Sequence, residues 1–304
     1  MIKLLTIAEG KLAPAEPDNA QVLVYVNPDE AQRQEICQRY NIDEHNVVSA
    51  LDPDELSRME IEPDHVALIY KRPKNYSTED EFLFRIASTG LFLRKDRLIV
   101  VVSEDVSLFD GRQFARVSSL PDLVLKLLHR TIFHFIEHLR VINSVSASLE
   151  QQINASMQNR YLLNLFTLEK SLVYYLNAIN GNRKIIELLT RNAAKLELTA
   201  ENLEFLDDIR IENDQCYQQA EVYSNILASM MDARASIVSN NLNWLIKTLN
   251  VITIAVMVPT LVVSIFSMNV AIPLQHHPWA FWAVIAMSIV SMLLVGFLWW
   301  WRKW

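Results

Sequence analysis

A long stretch without charged side chains dominates the hydropathy pattern of the chain. From Thr248 to Trp301 there is no Asp, Glu, Lys or Arg over 54 residues, although charged residues make up 21% of the sequence. A polar segment at 269–278 divides this stretch into two apolar runs, 245–266 and 279–301. Each run has the roughly 20 residues that a helix needs to cross a hydrocarbon core of about 30 Å. The pattern predicts two transmembrane helices in a lipid bilayer, and a buried helical hairpin of a soluble protein is the weaker alternative.

The charges that flank the two runs predict their orientation. Arg234 and Lys247 precede the first run, and Arg302 and Lys303 follow the second, whereas the connecting loop has neither Lys nor Arg. Basic residues are retained on the cytoplasmic side of a membrane. We therefore expect both termini in the cytoplasm and a multi-pass protein of the cell (inner) membrane. Glu9 interrupts the N-terminal apolar residues too early for a secretory signal, which agrees with this orientation.

The first 120 residues have the pattern of an α/β domain. Short β-branched runs predict strands at 2–7, 22–26, 66–70 and 98–102, with 82–92 as a further extended candidate. A helix is expected from Asp29 to Tyr40, with Pro28 fixing the backbone of its first turn. We assign 1–120 to a cytoplasmic α/β domain.

Helical periodicity replaces this pattern after Pro121. Between Asp122 and Val258 the only glycine or proline is Gly181. Apolar residues recur at spacings of three and four, which predicts a helical pair at 122–155 and 158–194 and one long helix at 199–266. Such a helix would be about 100 Å long, far more than the membrane requires, so 121–244 is expected to form a cytoplasmic stalk or funnel and 245–304 the membrane region. The overall fold class is an α+β membrane protein.

Composition and motifs argue against several classes of partner and activity for this protein. The net charge of −7 argues against nucleic acid as a partner. Cys37 and Cys216 match neither a disulfide framework nor a zinc site. The sequence also has no glycine-rich phosphate loop and no nucleophile elbow, which argues against an ATP-driven pump.

A stripe of small and polar residues follows one face of the first predicted span. Alternating steps of three and four give Asn243, Ile246, Asn250, Thr253, Met257, Thr260, Ser264 and Ser267. In a parallel bundle of identical helices this stripe would face the axis. Neutral oxygens there suit Mg²⁺, which gives up its water reluctantly. Such residues also hold membrane helices together without conduction, so both interpretations remain open.

The end of this helix resembles a known family. Ser267-Met268-Asn269 stands where the CorA family of magnesium and cobalt transporters has Gly-Met-Asn, and Met257, Pro259 and Thr260 stand at that family's spacing before it. The resemblance is strong from about residue 199 and looser upstream, where 90–102 resembles a strand pair of the family's α/β domain.

The resemblance implies a homopentamer that passes divalent metal ions, most characteristically Mg²⁺, down their electrochemical gradient. It implies that Asn269, with Met268 and Ser267, forms the outer selectivity site. It also implies that Met257 and Leu249 form apolar constrictions of the pore. Heptad counting includes Met257 but selects Asn250 instead of Leu249. Asn243, Thr260 and Ser264 would line the path.

Two departures from the family pattern leave the metal open. Ser267 replaces the family's glycine, and the outer loop carries His276 and His277 where acidic residues are frequent. Histidine suits zinc, cobalt or nickel as well as magnesium. A zinc transporter of the same architecture, similar to the ZntB type, is the alternative, followed by a non-conducting membrane-anchored sensor or structural homologue.

An acidic stripe at the start of the long helix is a candidate regulatory metal site. Glu201, Glu204, Asp208 and Glu212 recur at helical spacing. Such runs are usually solvated surface, but like charges at this spacing repel, and divalent ions between subunits would relieve the repulsion. The family resemblance implies that Asp208 is an intersubunit regulatory carboxylate that binds Mg²⁺.

A histidine motif upstream of the long helix resembles the zinc site of an enzyme. His134, Glu137 and His138 match the H-x-x-E-H string of zinc peptidases. The same window has the apolar spacing of a packed helix, so we interpret it as structural and expect no catalytic residues.

Overall fold

The computed structural model describes residues 1–76, 82–155, 159–270 and 277–302. These residues include seven strands, β1 (Ile2–Ala8), β2 (Lys11–Pro14), β3 (Val22–Val26), β4 (Arg58–Ile61), β5 (Val66–Pro73), β6 (Ile86–Leu93) and β7 (Leu98–Val102). The helices are α1 (Glu30–Tyr40), α2 (Glu44–Ser49), α3 (Leu120–Ala155), α4 (Asn159–Arg191), α5 (Ala200–Phe266) and α6 (Ala280–Arg302). The chain divides into two compact units, 1–231 and 232–304, and α5 contributes to both.

All seven strands form one sheet in the order β2-β1-β3-β7-β6-β5-β4. Only the central pair, β3 and β7, is parallel, and the other neighbours are antiparallel. Both central strands are buried along their full length, which agrees with their nearly continuous β-branched and apolar sequences.

The two faces of the sheet pack against different helices. Because side chains alternate along a strand, Val22, Val24 and Val26 contribute to one core, and Leu23 and Tyr25 to the other. The larger core includes α3, α4 and the first part of α5. The smaller core is closed by Ile36 and Tyr40 of α1 and by Val47 of α2. The predicted α/β domain, helical pair and long helix are therefore confirmed.

The start of α1 corrects one predicted role. Asp29 is the N-cap residue: its Oδ1 accepts from the backbone N–H of Gln32 at 2.8 Å, and the Gln32 side chain accepts from the backbone N–H of Asp29. Pro28 precedes this capping box, so the prediction that it forms the first helical turn is wrong. A capping box provides hydrogen-bond acceptors for two N–H groups that have no partner within the first turn. These two hydrogen bonds stabilise the start of α1 at this position.

The first part of α5 packs through one regular face. Its buried residues recur at steps of three, four and seven: Asn202, Leu206, Ile209, Asn213, Cys216, Ala220 and Leu227. The amide of Asn213 donates to the backbone oxygen of Ile179 on α4 at 3.3 Å. The first part of α5 therefore packs against α4 and the larger core.

The second unit contains the two apolar helical segments. α5 and α6 are each long and apolar enough to cross a membrane, with none of their most apolar residues buried within the chain. α5 continues through Pro259 to Phe266 without interruption. Two C-terminal membrane helices were predicted, and the helices are present at the predicted positions.

Candidate ion-conduction and regulatory sites

The predicted selectivity residues lie directly after the end of α5. The backbone N–H of Ser267 donates to the oxygen of Ser264 at 3.2 Å, and its hydroxyl donates to the same oxygen at 2.9 Å. Among the described residues, the non-glycine positions with positive φ lie elsewhere in the chain. Ser267 therefore needs no glycine-like conformation, and its hydroxyl helps to close the turn that leads into Met268 and Asn269. Asn269 is exposed.

The polar stripe of the first span remains exposed along its whole length. This holds for its eight positions, Asn243, Ile246, Asn250, Thr253, Met257, Thr260, Ser264 and Ser267, and also for Leu249. The less exposed positions include Val251, Ala255, Val258 and Val262, which recur with the same period on a different face of the helix. One chain thus leaves the stripe free to face other copies of the same helix.

The threonine hydroxyls in the stripe are used within the helix. Thr253 donates to the oxygen of Leu249 at 2.8 Å, and Thr260 donates to the oxygen of Val256 at 2.7 Å. A hydroxyl that donates its hydrogen to a backbone oxygen in this way can only accept hydrogen bonds from its surroundings. Those acceptors match the outward-pointing protons of the water molecules around a cation.

The members of the acidic stripe differ in their surroundings. The carboxylate of Glu212 lies 3.0 Å from Nε2 of His129 on α3. The neighbouring Asp207 pairs with Arg210 at 2.7 Å. Glu204 and Asp208 are exposed, and no ion pair to either is found among the described residues. The carboxylates of the stripe that have no ion pair among the described residues are therefore Glu201, Glu204 and Asp208, and the last two lie one helical turn apart.

His129 is the residue that sequence reasoning missed. Its ring contacts Phe133 and Phe205 edge to face, with centroids 4.8 Å and 5.1 Å away. Burial lowers the pKa of His129, while the carboxylates of Glu212 and Asp208 act in the opposite direction. The pairing joins residues on α3 and α5 that are far apart in the sequence, so no local motif could have revealed it.

The H-x-x-E-H residues have structural surroundings. Nδ1 of His138 lies 2.6 Å from the hydroxyl of buried Tyr175, and Glu137 faces Arg130 at 3.4 Å. Burial lowers the pKa of His134 to about 3 and that of His138 to about 4. Within the described part of the chain, no group of three or more His, Cys, Asp or Glu residues could hold a metal ion. His276 of the outer loop lies outside the described residues, whereas His277 is described and exposed.

Comparison with known proteins gives consistent matches along the chain. Residues 22–303 match a family model described as CorA-like Mg²⁺ transporter protein. The cobalt/magnesium transport protein CorA of Methanocaldococcus jannaschii is 24% identical, over 97% of this chain and 96% of that protein. The complete structure of the CorA magnesium transporter from the same organism has a TM-score of 0.82 at 22% identity, covering 98% of this chain and 96% of that one.

A zinc-related structure shares part of the fold. The ZntB cytoplasmic domain from Vibrio parahaemolyticus has a TM-score of 0.58 at 13% identity, over 78% of this chain and 98% of that domain. At this identity the likeness concerns the fold alone. The family match, in contrast, includes both apolar helices and nearly all of the residues that precede them, and the chain belongs to the CorA-like Mg²⁺ transporter family.

Proposed function

We propose that this protein transports divalent metal ions, with Mg²⁺ as its principal substrate, through a pore formed by the α5 helices of a homopentamer in the cell membrane. The observation that carries the proposal is the exposed polar stripe of α5, which leads to Asn269. Family membership and the named activity of the M. jannaschii relative support it. The termini would lie in the cytoplasm, because the flanking Lys and Arg residues belong on that side.

The chemistry of the stripe suits an ion that keeps its water. The carboxamide oxygen of Asn269 accepts hydrogen bonds, and several copies would form a neutral ring at the pore entrance. Thr253 and Thr260 would continue this series of acceptors along the path. Because Mg²⁺ dehydrates reluctantly, hydrogen bonds to its hydration water cost less than direct coordination by a dry cage.

The decisive experiment is metal flux into liposomes with the Asn269→Ala variant. Removal of the ring of acceptors should abolish Mg²⁺ uptake while leaving assembly intact, since Asn269 is exposed and supports no core. Asn241→Ala is the matched control, because Asn241 is an exposed asparagine of α5 outside the stripe. Ser267→Gly should be tolerated, because glycine can adopt the backbone conformation that serine has here. Uptake by Asn269→Ala equal to that of the parent would contradict the proposed mechanism.

The same assay separates the alternative functions. Parallel measurements with Mg²⁺, Co²⁺, Ni²⁺ and Zn²⁺ test which metal passes. Uptake of Zn²⁺ alone would identify a zinc transporter of the same architecture. No uptake of any metal by the intact oligomer would favour a sensor or structural protein.

We further propose that Mg²⁺ bound at Asp208 and Glu204 closes the pore when cytoplasmic Mg²⁺ is abundant. These two carboxylates are exposed and one turn apart, whereas Glu212 already faces His129. Bound Mg²⁺ would offset the repulsion between the acidic stripes of neighbouring copies.

Asp208→Asn should weaken the inhibition of uptake by internal Mg²⁺, and Glu204→Gln should do so as well. Glu212→Gln should have the smaller effect, because its carboxylate has a partner within the chain. The measurement is initial flux as a function of Mg²⁺ on the cytoplasmic side. If all three variants titrate as the parent does, the stripe is only solvated surface.

A further inference from the structure

A small cavity, lined by both polar and apolar side chains, lies between the end of β5, helix α3 and the segment after β7. Its volume is about 120 Å³. A cavity needs roughly 10–15 Å³ of such volume to hold one water molecule, so this cavity has room for several water-sized groups. The polar residues around it that matter here are Arg72, Asn75, Ser107, Arg130, Thr131 and His134.

Arg72 gives the cavity a buried cation with spare donor capacity. Its side chain is 5% exposed. One terminal nitrogen binds Glu104 at 3.0 Å, and the other donates to the backbone oxygen of Pro73 at 3.2 Å. Its Nε is buried, and no hydrogen-bond partner for it is found among the described residues. The two terminal nitrogens carry four N–H groups, and these contacts use only two of them, so the guanidinium has donors left for a ligand.

The cavity has a positive character despite nearby carboxylates. The carboxylate of Glu104 pairs with both Arg72 and Lys74, and its contact with Lys74 is 3.4 Å long. Its single negative charge therefore offsets only one of these two positive charges. Arg130 faces Glu137 at 3.4 Å with both side chains partly exposed, which makes that pair weak. Two guanidinium groups thus line one cavity, which is the arrangement that recognises planar or tetrahedral oxyanions.

Neutral hydrogen-bonding groups complete the lining. Asn75, Ser107 and the imidazole of His134 can each donate one or more hydrogen bonds. The pKa of His134 is lowered to about 3 by burial, then by His138, and then by the charges of Arg130 and Arg72. At neutral pH the ring therefore adds a hydrogen bond without adding charge.

We propose that this cavity is a binding site for a phosphate-type oxyanion, either free orthophosphate or the phosphate group of a nucleotide. Arg72 and Arg130 would supply charge-assisted hydrogen bonds, and His134 and Asn75 would orient the ligand. The site is separate from the polar stripe of α5 and from the acidic stripe, so the proposal does not rest on metal transport. It also gives His134, which belongs to the H-x-x-E-H string, a role other than binding metal.

Isothermal titration calorimetry of the full-length protein in detergent, with orthophosphate, AMP and ADP, tests the proposal. Ser107→Glu places a negative charge at the exposed edge of the cavity and should abolish binding. Ser107→Gln, of similar size and neutral, is the matched control and should retain it. Arg130→Gln should weaken binding by about tenfold or more, as expected for the loss of a charged hydrogen bond. Arg140→Gln, an exposed arginine on the same helix that does not line the cavity, should leave binding unchanged.

The three ligands distinguish the source of the phosphate. Tighter binding of ADP or AMP than of orthophosphate would identify a nucleotide site, whereas equal or weaker binding would identify free phosphate as the ligand. The proposal is overturned if none of the three binds below about 10 mM, or if Ser107→Glu binds as well as Ser107→Gln.

Discussion

At the scale of single residues, polar side chains of similar appearance in the sequence have different roles. Asp208 and Glu212 belong to the same acidic stripe, but only Glu212 has a histidine partner. The polar stripe of α5 could be predicted because its spacing is local. The pairing of His129 with Glu212 could not, because it depends on how α3 packs against α5. The unsatisfied Nε of Arg72 likewise depends on tertiary contacts that no motif encodes.

The buried histidines of α3 predict a loss of stability in acid. The pKa of His134 is about 3 and that of His138 about 4, whereas an unfolded histidine titrates near 6.5. The unfolded chain therefore takes up protons first as the pH falls. The stabilisation from burying these neutral rings is complete above about pH 6.5 and is lost progressively below it. We expect a loss of about 1–2 kcal/mol per histidine between pH 7 and pH 5, after allowance for partial exposure.

Denaturant unfolding of the first unit, 1–231, at several pH values checks this expectation. The His134→Gln/His138→Gln double variant should show a smaller decrease of unfolding free energy with acid. His45→Gln, which alters an exposed histidine, should follow the parent. Metal content should be the same in the double variant and in the parent, and stoichiometric zinc lost on this replacement would restore the peptidase interpretation.

At the scale of secondary structure, long periodic segments were predictable and short polar ones were not. The central strands are continuous runs of β-branched and other apolar residues, and their positions agree with the prediction. β2, β4 and α2 are four to six residues long, and nothing in their local sequence distinguishes them from loops. These elements form through tertiary contacts with the sheet, and the periodicity of the local sequence does not reveal such contacts.

The buried face of α5 gives a prediction that compares two isoleucines. Ile209 is 0% exposed and Ile211, two residues later on the same helix, is 42% exposed. Ile209→Ala should destabilise the first unit, 1–231, by about 2–5 kcal/mol, because it leaves a cavity against the preceding helices. Ile211→Ala should change stability by only about 0.5 kcal/mol. Thermal unfolding of both variants in the full-length protein measures the difference, and equal effects would argue against the assigned packing face.

At the scale of the whole molecule, a single chain leaves much apolar surface uncovered. The apolar residues of both candidate spans are exposed, and the polar stripe of α5 is exposed with them. Lipid can cover the apolar faces. It cannot satisfy a stripe of amides and hydroxyls, which must meet protein or water.

We therefore expect the full-length protein to be a pentamer in detergent. Native mass spectrometry of the purified protein gives the number of copies directly. The Asn269→Ala variant should show the same number of copies, because its effect is confined to the entrance. A stable monomer or dimer would be incompatible with an axial pore.

The parallel pairing of β3 with β7 sets an order of events during synthesis. These strands lie at Val22–Val26 and Leu98–Val102, so the middle of the sheet stays unpaired until the last strand has left the ribosome. Both apolar helices follow much later in the chain, and domains generally fold as units in the order of their synthesis. The first unit, 1–231, can therefore acquire its sheet before either apolar helix is made. The nascent chain would then reach the insertion machinery with a domain that is already folded.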